Sequence, residues 1–247
     1  MLRHLEINNH EGKTLRGYLT TPDRPFSLTV VFFHGFTGNK TEHGHLFRDF
    51  SRELATKGIA SLRMDFSGNG ESDGVFADFT FQTMMQEAQV MVDFARSLSP
   101  QVAVLGFSMG GAVAAQMAVN NVKHIKTLVL WSPAGNINSL VQKRYETTKK
   151  LPNGNADILG FEISEALYQS TFVYDWYRDL SQYPHPVFII HGQADLSVPW
   201  EFGKKFADLF PKAQFQLFPN ANHGYDNRLD QQLLKEKTLQ FLLGDKI

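Results

Sequence analysis

Five stretches of strand length in this chain are apolar almost throughout, without alternation: Thr29 to His34, Ile59 to Met64, Val102 to Phe107, Thr127 to Trp131 and Val187 to His191. An alternating strand can leave one face to water. An uninterrupted apolar strand needs cover on both faces, the condition of a parallel sheet flanked by helices. The intervals supply that cover. Helical periodicity runs over about His43 to Lys57, Thr80 to Ser97, Met109 to Asn120, Trp200 to Phe210 and Asp226 to Leu243, each between or after the apolar runs. This is the succession of an α/β protein. Leu2 to Asn8 and Lys13 to Thr20 have no helix between them and meet across His10, Glu11 and Gly12. They predict an antiparallel hairpin and therefore a mixed, mostly parallel sheet.

One interval breaks the rhythm. Between Trp131 and Val187 lie about fifty residues where a single helix would suffice. The segment is expected to be an inserted cap over the active site, residues 133–182, on a core of residues 1–132 and 183–247. Prolines mark its borders, in Ser132-Pro133 and Tyr183-Pro184-His185-Pro186, where helix continuation is disfavoured. Its aromatics Phe161, Tyr168, Phe172, Tyr174, Trp176 and Tyr177 either line an apolar pocket or fasten the insert to the core, the second being the plainer reading.

Composition removes whole classes of chemistry. The chain has no cysteine, which excludes disulfide scaffolds, thiolate metal sites and a cysteine nucleophile. With 24 basic against 25 acidic residues, the net charge of −1 gives no field for a nucleic-acid backbone. No apolar segment approaches the length of a membrane span, and the start has no leader-like run. A soluble cytoplasmic protein is expected, with self-association into a homodimer left open.

The pattern Gly-x-Ser-x-Gly occurs at Gly106 to Gly110 and again at Gly70 to Gly74. A serine lifted above a sheet edge needs a buried strand before it, a helix after it and small neighbours. Ser108 follows VAVLGF and opens GGAVAAQMAVN, whereas Ser72 sits between Ser67-Gly68-Asn69 and VFADFT, a glycine-rich turn. Ser108 is therefore the candidate nucleophile. A serine hydroxyl also needs a base and a group that orients the base. Asp195 lies just past the strand ending at His191, while Asp157, Asp175 and Asp179 fall in the insert and Asp226 is expected to open the last helix. His223 lies in the polar loop after Gln214 to Phe218. The order Ser, Asp, His is that of the α/β-hydrolase fold.

Acyl transfer also requires donors to the developing oxyanion, each contributing roughly 3 to 4 kcal/mol. Met109, at the start of a helix, supplies one N–H, and Phe36, in the loop after Thr29 to His34, is the choice for the other. The same loop imitates a phosphate-binding loop through Gly35 and Gly38, but Asn39 separates Gly38 from Lys40. A dinucleotide fingerprint fails at Asp73. His43 and His45 read as surface residues, and His34 and His191, each before a glycine, as structural holders of loop backbone. No metal site is expected. The basic run Lys143, Arg144, Lys149 and Lys150, interrupted by Glu146, reads more plainly as a solvated helix face than as an attractor of acidic substrates.

Taken together, HGFTGNK, DFSGNGESDG, GFSMGG, HGQADLSVP and NANHGY resemble the α/β-hydrolase superfamily, and within it the bacterial cinnamoyl and feruloyl esterases. The resemblance implies a triad of Ser108, Asp195 and His223, oxyanion donors at Phe36 and Met109, a small-molecule ester substrate covered by the insert, and no cofactor. Three alternatives remain: a lipase or monoacylglycerol hydrolase, a carbon–carbon bond hydrolase, and a catalytically silent binding protein of the same fold.

Overall fold

The computed structural model describes residues 1–244. Eight strands form one mixed sheet: β1 (Leu2–Asn8), β2 (Thr14–Thr20), β3 (Leu28–Phe33), β4 (Ala60–Met64), β5 (Gln101–Phe107), β6 (Ile125–Trp131), β9 (Val187–Gly192) and β10 (Ala213–Phe218). Their spatial order is β1-β2-β4-β3-β5-β6-β9-β10. The β1–β2 and β2–β4 pairs are antiparallel and the other pairs parallel, as the sequence predicts.

The central strands are apolar throughout because each residue reaches one of two buried layers. In β5, Val102 and Val104 pack on one face while Ala103, Leu105 and Phe107 pack on the other. Strand β6 divides in the same way, Leu128 and Leu130 against Val129 and Trp131. The first layer is closed by α2 (Phe81–Leu98), α3 (Met109–Asn120) and α6 (Trp200–Leu209), and the second by α1 (Leu46–Thr56) and α7 (Arg228–Leu243). Burying side chains of this size contributes about 1.5 to 3 kcal/mol each, so the pattern fixes which strands are central. Edge strand β1, largely exposed, carries no such run.

Two helices begin later than their periodicity predicts. Gly44 and His45 have φ of 58° and 62°, in the left-handed region, so α1 starts at Leu46 rather than His43. Asn227 caps α7 by accepting the Leu229 N–H, leaving Asp226 in the preceding loop rather than at the helix start. Between β6 and β9 the chain leaves the sheet and forms α4 (Ile137–Thr147), a small antiparallel pair, β7 (Ala156–Ile158) with β8 (Phe161–Ile163), and α5 (Glu165–Ser170). Its aromatics act chiefly as fasteners: Trp176 meets Phe81 edge-on at 5.0 Å, Phe161 meets Phe76 at 5.0 Å, and Tyr177 meets Phe206 at 4.5 Å. Tyr168 instead stacks on Tyr145 within the segment, and Phe172 is exposed. Among the described residues no helix is long and apolar enough to cross a membrane.

Candidate active site

Ser108 is the single residue between the end of β5 and the start of α3, with φ 55° and ψ −120°. A non-glycine residue there is strained by roughly 1 to 3 kcal/mol, so its surroundings must impose the conformation. The flanking glycines show how. A Cβ on Gly106 would lie 2.0 Å from the Gly110 carbonyl oxygen, and one on Gly110 would lie 1.9 Å from that of Phe33. The helix can pack this close to the sheet only where no side chain intervenes. The Ser108 N–H still donates to the Trp131 carbonyl at 2.9 Å, so the sheet holds the turn from behind.

The other two predicted residues come from loops at the same end of the sheet. His223 Nε2 lies 2.9 Å from Ser108 Oγ, and His223 Nδ1 lies 2.6 Å from Asp195 Oδ2. These contacts assign Nδ1–H as donor to the carboxylate and leave Nε2 to accept the serine proton. Asp195 is fixed independently, its Oδ1 accepting the Ser197 and Val198 N–H groups at 2.9 and 2.8 Å. Burial alone would push its carboxyl up, but hydrogen bonds from His191 and His223 hold it well below the usual carboxylate range. The site thus retains an anion behind the imidazole.

From the sequence, His191 is expected only to hold loop backbone. It does bond there, Nε2–H donating to the Val198 carbonyl at 2.9 Å, but the same nitrogen is 3.3 Å from Asp195 Oδ2. Asp195 therefore sits between two histidines. Tyr225 was also missed: buried two residues past His223, its hydroxyl lies 2.9 Å from Ser132 Oγ and donates to the Ile190 carbonyl at 3.2 Å. It ties the histidine loop to the ends of β6 and β9. Neither contact has a sequence signal beyond proximity to a strand end. Asp226 joins His43 at 2.6 Å and Asn222 at 2.6 Å on the outer side of that loop. His43 is largely exposed, as expected.

Phe36 and Met109 are placed on either side of Ser108 in chain terms, one after β3 and one opening α3. Neither backbone N–H has an acceptor among the described residues. The Phe36 loop is held from below. The Gly35 N–H donates to Glu42 Oε1 at 2.5 Å, and His34 spans the loop, its Nδ1 2.9 Å from the Gly35 carbonyl while Nε2 accepts the Phe66 N–H at 3.1 Å. Burial pushes the Glu42 carboxyl up. Lys40, the residue that imitates a phosphate-binding lysine, is buried against Asp65 and Glu71 at 2.6 and 2.8 Å, and its charge is already satisfied.

Two cavities border Ser108 and His223. One, of about 190 Å³, has a largely aliphatic wall made by Ile137, Leu140 and Val141 of α4 and Ile158 and Leu159 of the small hairpin, with Arg144 also on its lining. The other, of about 390 Å³, is more open and is bounded by the Gly35 to Asn39 loop, Glu42 and His43. None of the six aromatics weighed as pocket residues lines either one. Arg144 is exposed, as a solvated helix face requires, and also contributes to the lining of the smaller cavity.

Comparison with known proteins agrees with this architecture. The family model for serine aminopeptidase, S33 (Hydrolase_4) matches residues 25–159, a span that includes Phe36, Ser108 and Met109 but ends before Asp195 and His223. A Bacillus subtilis protein, AB hydrolase superfamily protein YisY, is 22% identical over 233 residues, covering 79% of this chain and 84% of that one. The mitochondrial palmitoyl-protein thioesterase ABHD10 of Bos taurus is 25% identical over 249 residues, covering 90% and 78%. The structure of Est1E from Butyrivibrio proteoclasticus with ferulic acid bound superposes with a TM-score of 0.85 at 26% identity, covering 97% of this chain and 99% of that one.

Proposed function

This chain belongs to the Hydrolase_4 family, serine aminopeptidase S33, a family of α/β-hydrolase fold, and on that footing we propose that it is a serine carboxylesterase hydrolysing small esters through an acyl-enzyme. One observation carries the reading: a serine hydroxyl 2.9 Å from an imidazole that is itself 2.6 Å from a buried carboxylate, with two unengaged N–H groups beside it. His223 takes the Ser108 proton as Oγ attacks the ester carbonyl, and the Phe36 and Met109 N–H groups receive the charge on the carbonyl oxygen. His223 returns the proton to the departing alcohol. Water then attacks the acyl-enzyme by the same route and frees the acid. Asp195 keeps the imidazole in the working tautomer and stabilises it when protonated.

The acyl group occupies the 190 Å³ cavity, near the size of one that accepts a single benzene ring, and residues 133–182 act as a cap that supplies its outer wall. That volume favours a short or aromatic acyl group over a long alkyl chain. The likeness to Est1E, whose structure holds ferulic acid, supports cinnamoyl and feruloyl esters as candidates.

The test is a panel of p-nitrophenyl esters from C4 to C12 with methyl ferulate, assayed on the wild type and Ser108→Ala. Activity falling with chain length, and lost by about 10⁴-fold or more in the variant, is the expected result. Rising activity on long chains would replace the esterase with a lipase. Preferential cleavage of an amino-acid anilide or a ring-cleavage diketone would move the activity to an amide or carbon–carbon bond. Turnover unchanged in Ser108→Ala would end the proposal.

A further inference from the structure

Helix α4 lines the proposed acyl cavity, and its register decides which side chains face it. Ile137, Leu140, Val141 and Arg144 line the cavity at spacings of three, four and seven residues, one stripe of the helix. The stripe starts beside the nucleophile, because the Ala134 N–H donates to the Ser108 carbonyl at 2.9 Å. From Ile137 to Arg144 a helix rises about 10 Å.

Among the described residues lining this cavity, Arg144 is the one permanently charged side chain. Its guanidinium has no ion-pair or hydrogen-bond partner among the described residues. The nearest acid in sequence is already engaged, since Glu146 Oε1 accepts the Tyr168 hydroxyl at 2.7 Å. Tyr145, between them, stacks on Tyr168 at 4.5 Å and carries the Lys150 ammonium over its ring. Past Leu159 the adjoining groove adds Lys149 and Lys150 against the single carboxylate Asp157. An apolar groove with an exposed, unpaired guanidinium on its wall fits a molecule that is apolar in the middle and anionic at the tip.

We propose that Arg144 is a specificity-determining residue and that the preferred substrates are esters whose acyl part carries a carboxylate or another anionic group at the end remote from the scissile carbonyl. This rests on the esterase reading and refines it.

The test compares methyl cinnamate with methyl 4-carboxycinnamate, in which a carboxylate replaces the para hydrogen, using the wild type, Arg144→Gln and Arg144→Lys. A second pair, phenyl acetate and 4-carboxyphenyl acetate, puts the charge on the leaving group. The wild-type preference for the anionic acyl ester over the neutral one should fall about ten-fold in Arg144→Gln, through KM. Arg144→Lys should restore part of it, and the preference should shrink at high salt. A ratio unmoved by Arg144→Gln, an equal loss on both acyl esters, or a loss confined to the charged leaving group would overturn the proposal while leaving the esterase intact. Failure of the wild type to cleave any of the four esters would overturn both.

Discussion

The two Gly-x-Ser-x-Gly segments share a string and little else. Ser108 stands alone between a strand and a helix, φ 55°, with its hydroxyl facing an imidazole. Ser72 lies in a loop, and its hydroxyl is consumed by backbone, donating to the Asp65 carbonyl at 2.8 Å and accepting the Arg16 N–H at 2.8 Å. The glycines differ as well. Those around Ser108 let a helix touch the sheet, whereas Gly70 and Gly74, with φ of 53° and 92°, let a loop turn. A serine becomes available for chemistry where the fold withholds backbone partners from its hydroxyl and supplies a base.

The contrast can be broken most severely at the hydroxyls themselves. Ser108→Ala should abolish ester turnover while the protein melts near the wild-type temperature. Ser72→Ala should keep turnover within two-fold and lose about 1 to 2 kcal/mol of stability, because it orphans two backbone groups. Comparable activity losses in the two variants, measured as kcat, would erase the distinction.

Next in size is the carboxylate. Asp195→Asn should lower kcat by about 10⁴-fold through the wrong imidazole tautomer. It also tests the sign of the electrostatics. Because hydrogen bonds from His191 and His223 hold the Asp195 carboxyl below its usual range, its contribution to stability is complete above the unfolded value of about 3.9 and is lost as pH falls below it. Thermal unfolding of the wild type from pH 6 downward should therefore steepen below about pH 4, and Asp195→Asn should flatten that part of the curve. Parallel curves for the two proteins would contradict the assignment.

The glycines give the smaller, structural version of the same comparison. Gly110→Ala would drive a methyl into the Phe33 carbonyl, so a loss of several kcal/mol, or failure to fold, is expected. Gly74→Ala meets nothing nearer than 3.5 Å and bears only its left-handed φ, roughly 1 kcal/mol. Equal melting temperatures for the two variants would show that close helix–sheet approach is not what the elbow glycines serve.

Much of this could be read without coordinates, for reasons that are local. Val102 to Phe107 announces a doubly covered strand because each of its residues must be buried wherever the strand lies in the sheet. Gly106, Gly110 and the small residues after them announce an elbow because the clash they avoid involves near neighbours. Asp195 and His223 can be grouped with Ser108 from their places after successive strands, and the three side chains do meet within hydrogen-bond distance. The start of α1 was not, since periodicity through His43 to His45 hides two left-handed residues. Nor was Asp226 as a loop residue, because Asn227 takes the cap of α7 and the His43 partner of Asp226 is far away in sequence.

The amino-acid order alone thus determined the α/β succession, the mixed sheet and which serine, aspartate and histidine to consider together, because apolar pattern and strand-end position are properties of short segments. Tertiary structure alone decided that His191 joins His223 against Asp195, that Phe161, Tyr174, Trp176 and Tyr177 fasten their segment to the rest of the protein instead of lining the cavity, and that Arg144 lines the space beside Ser108. Each of these depends on how one element is rotated and seated against another. That orientation is set by packing across the whole molecule.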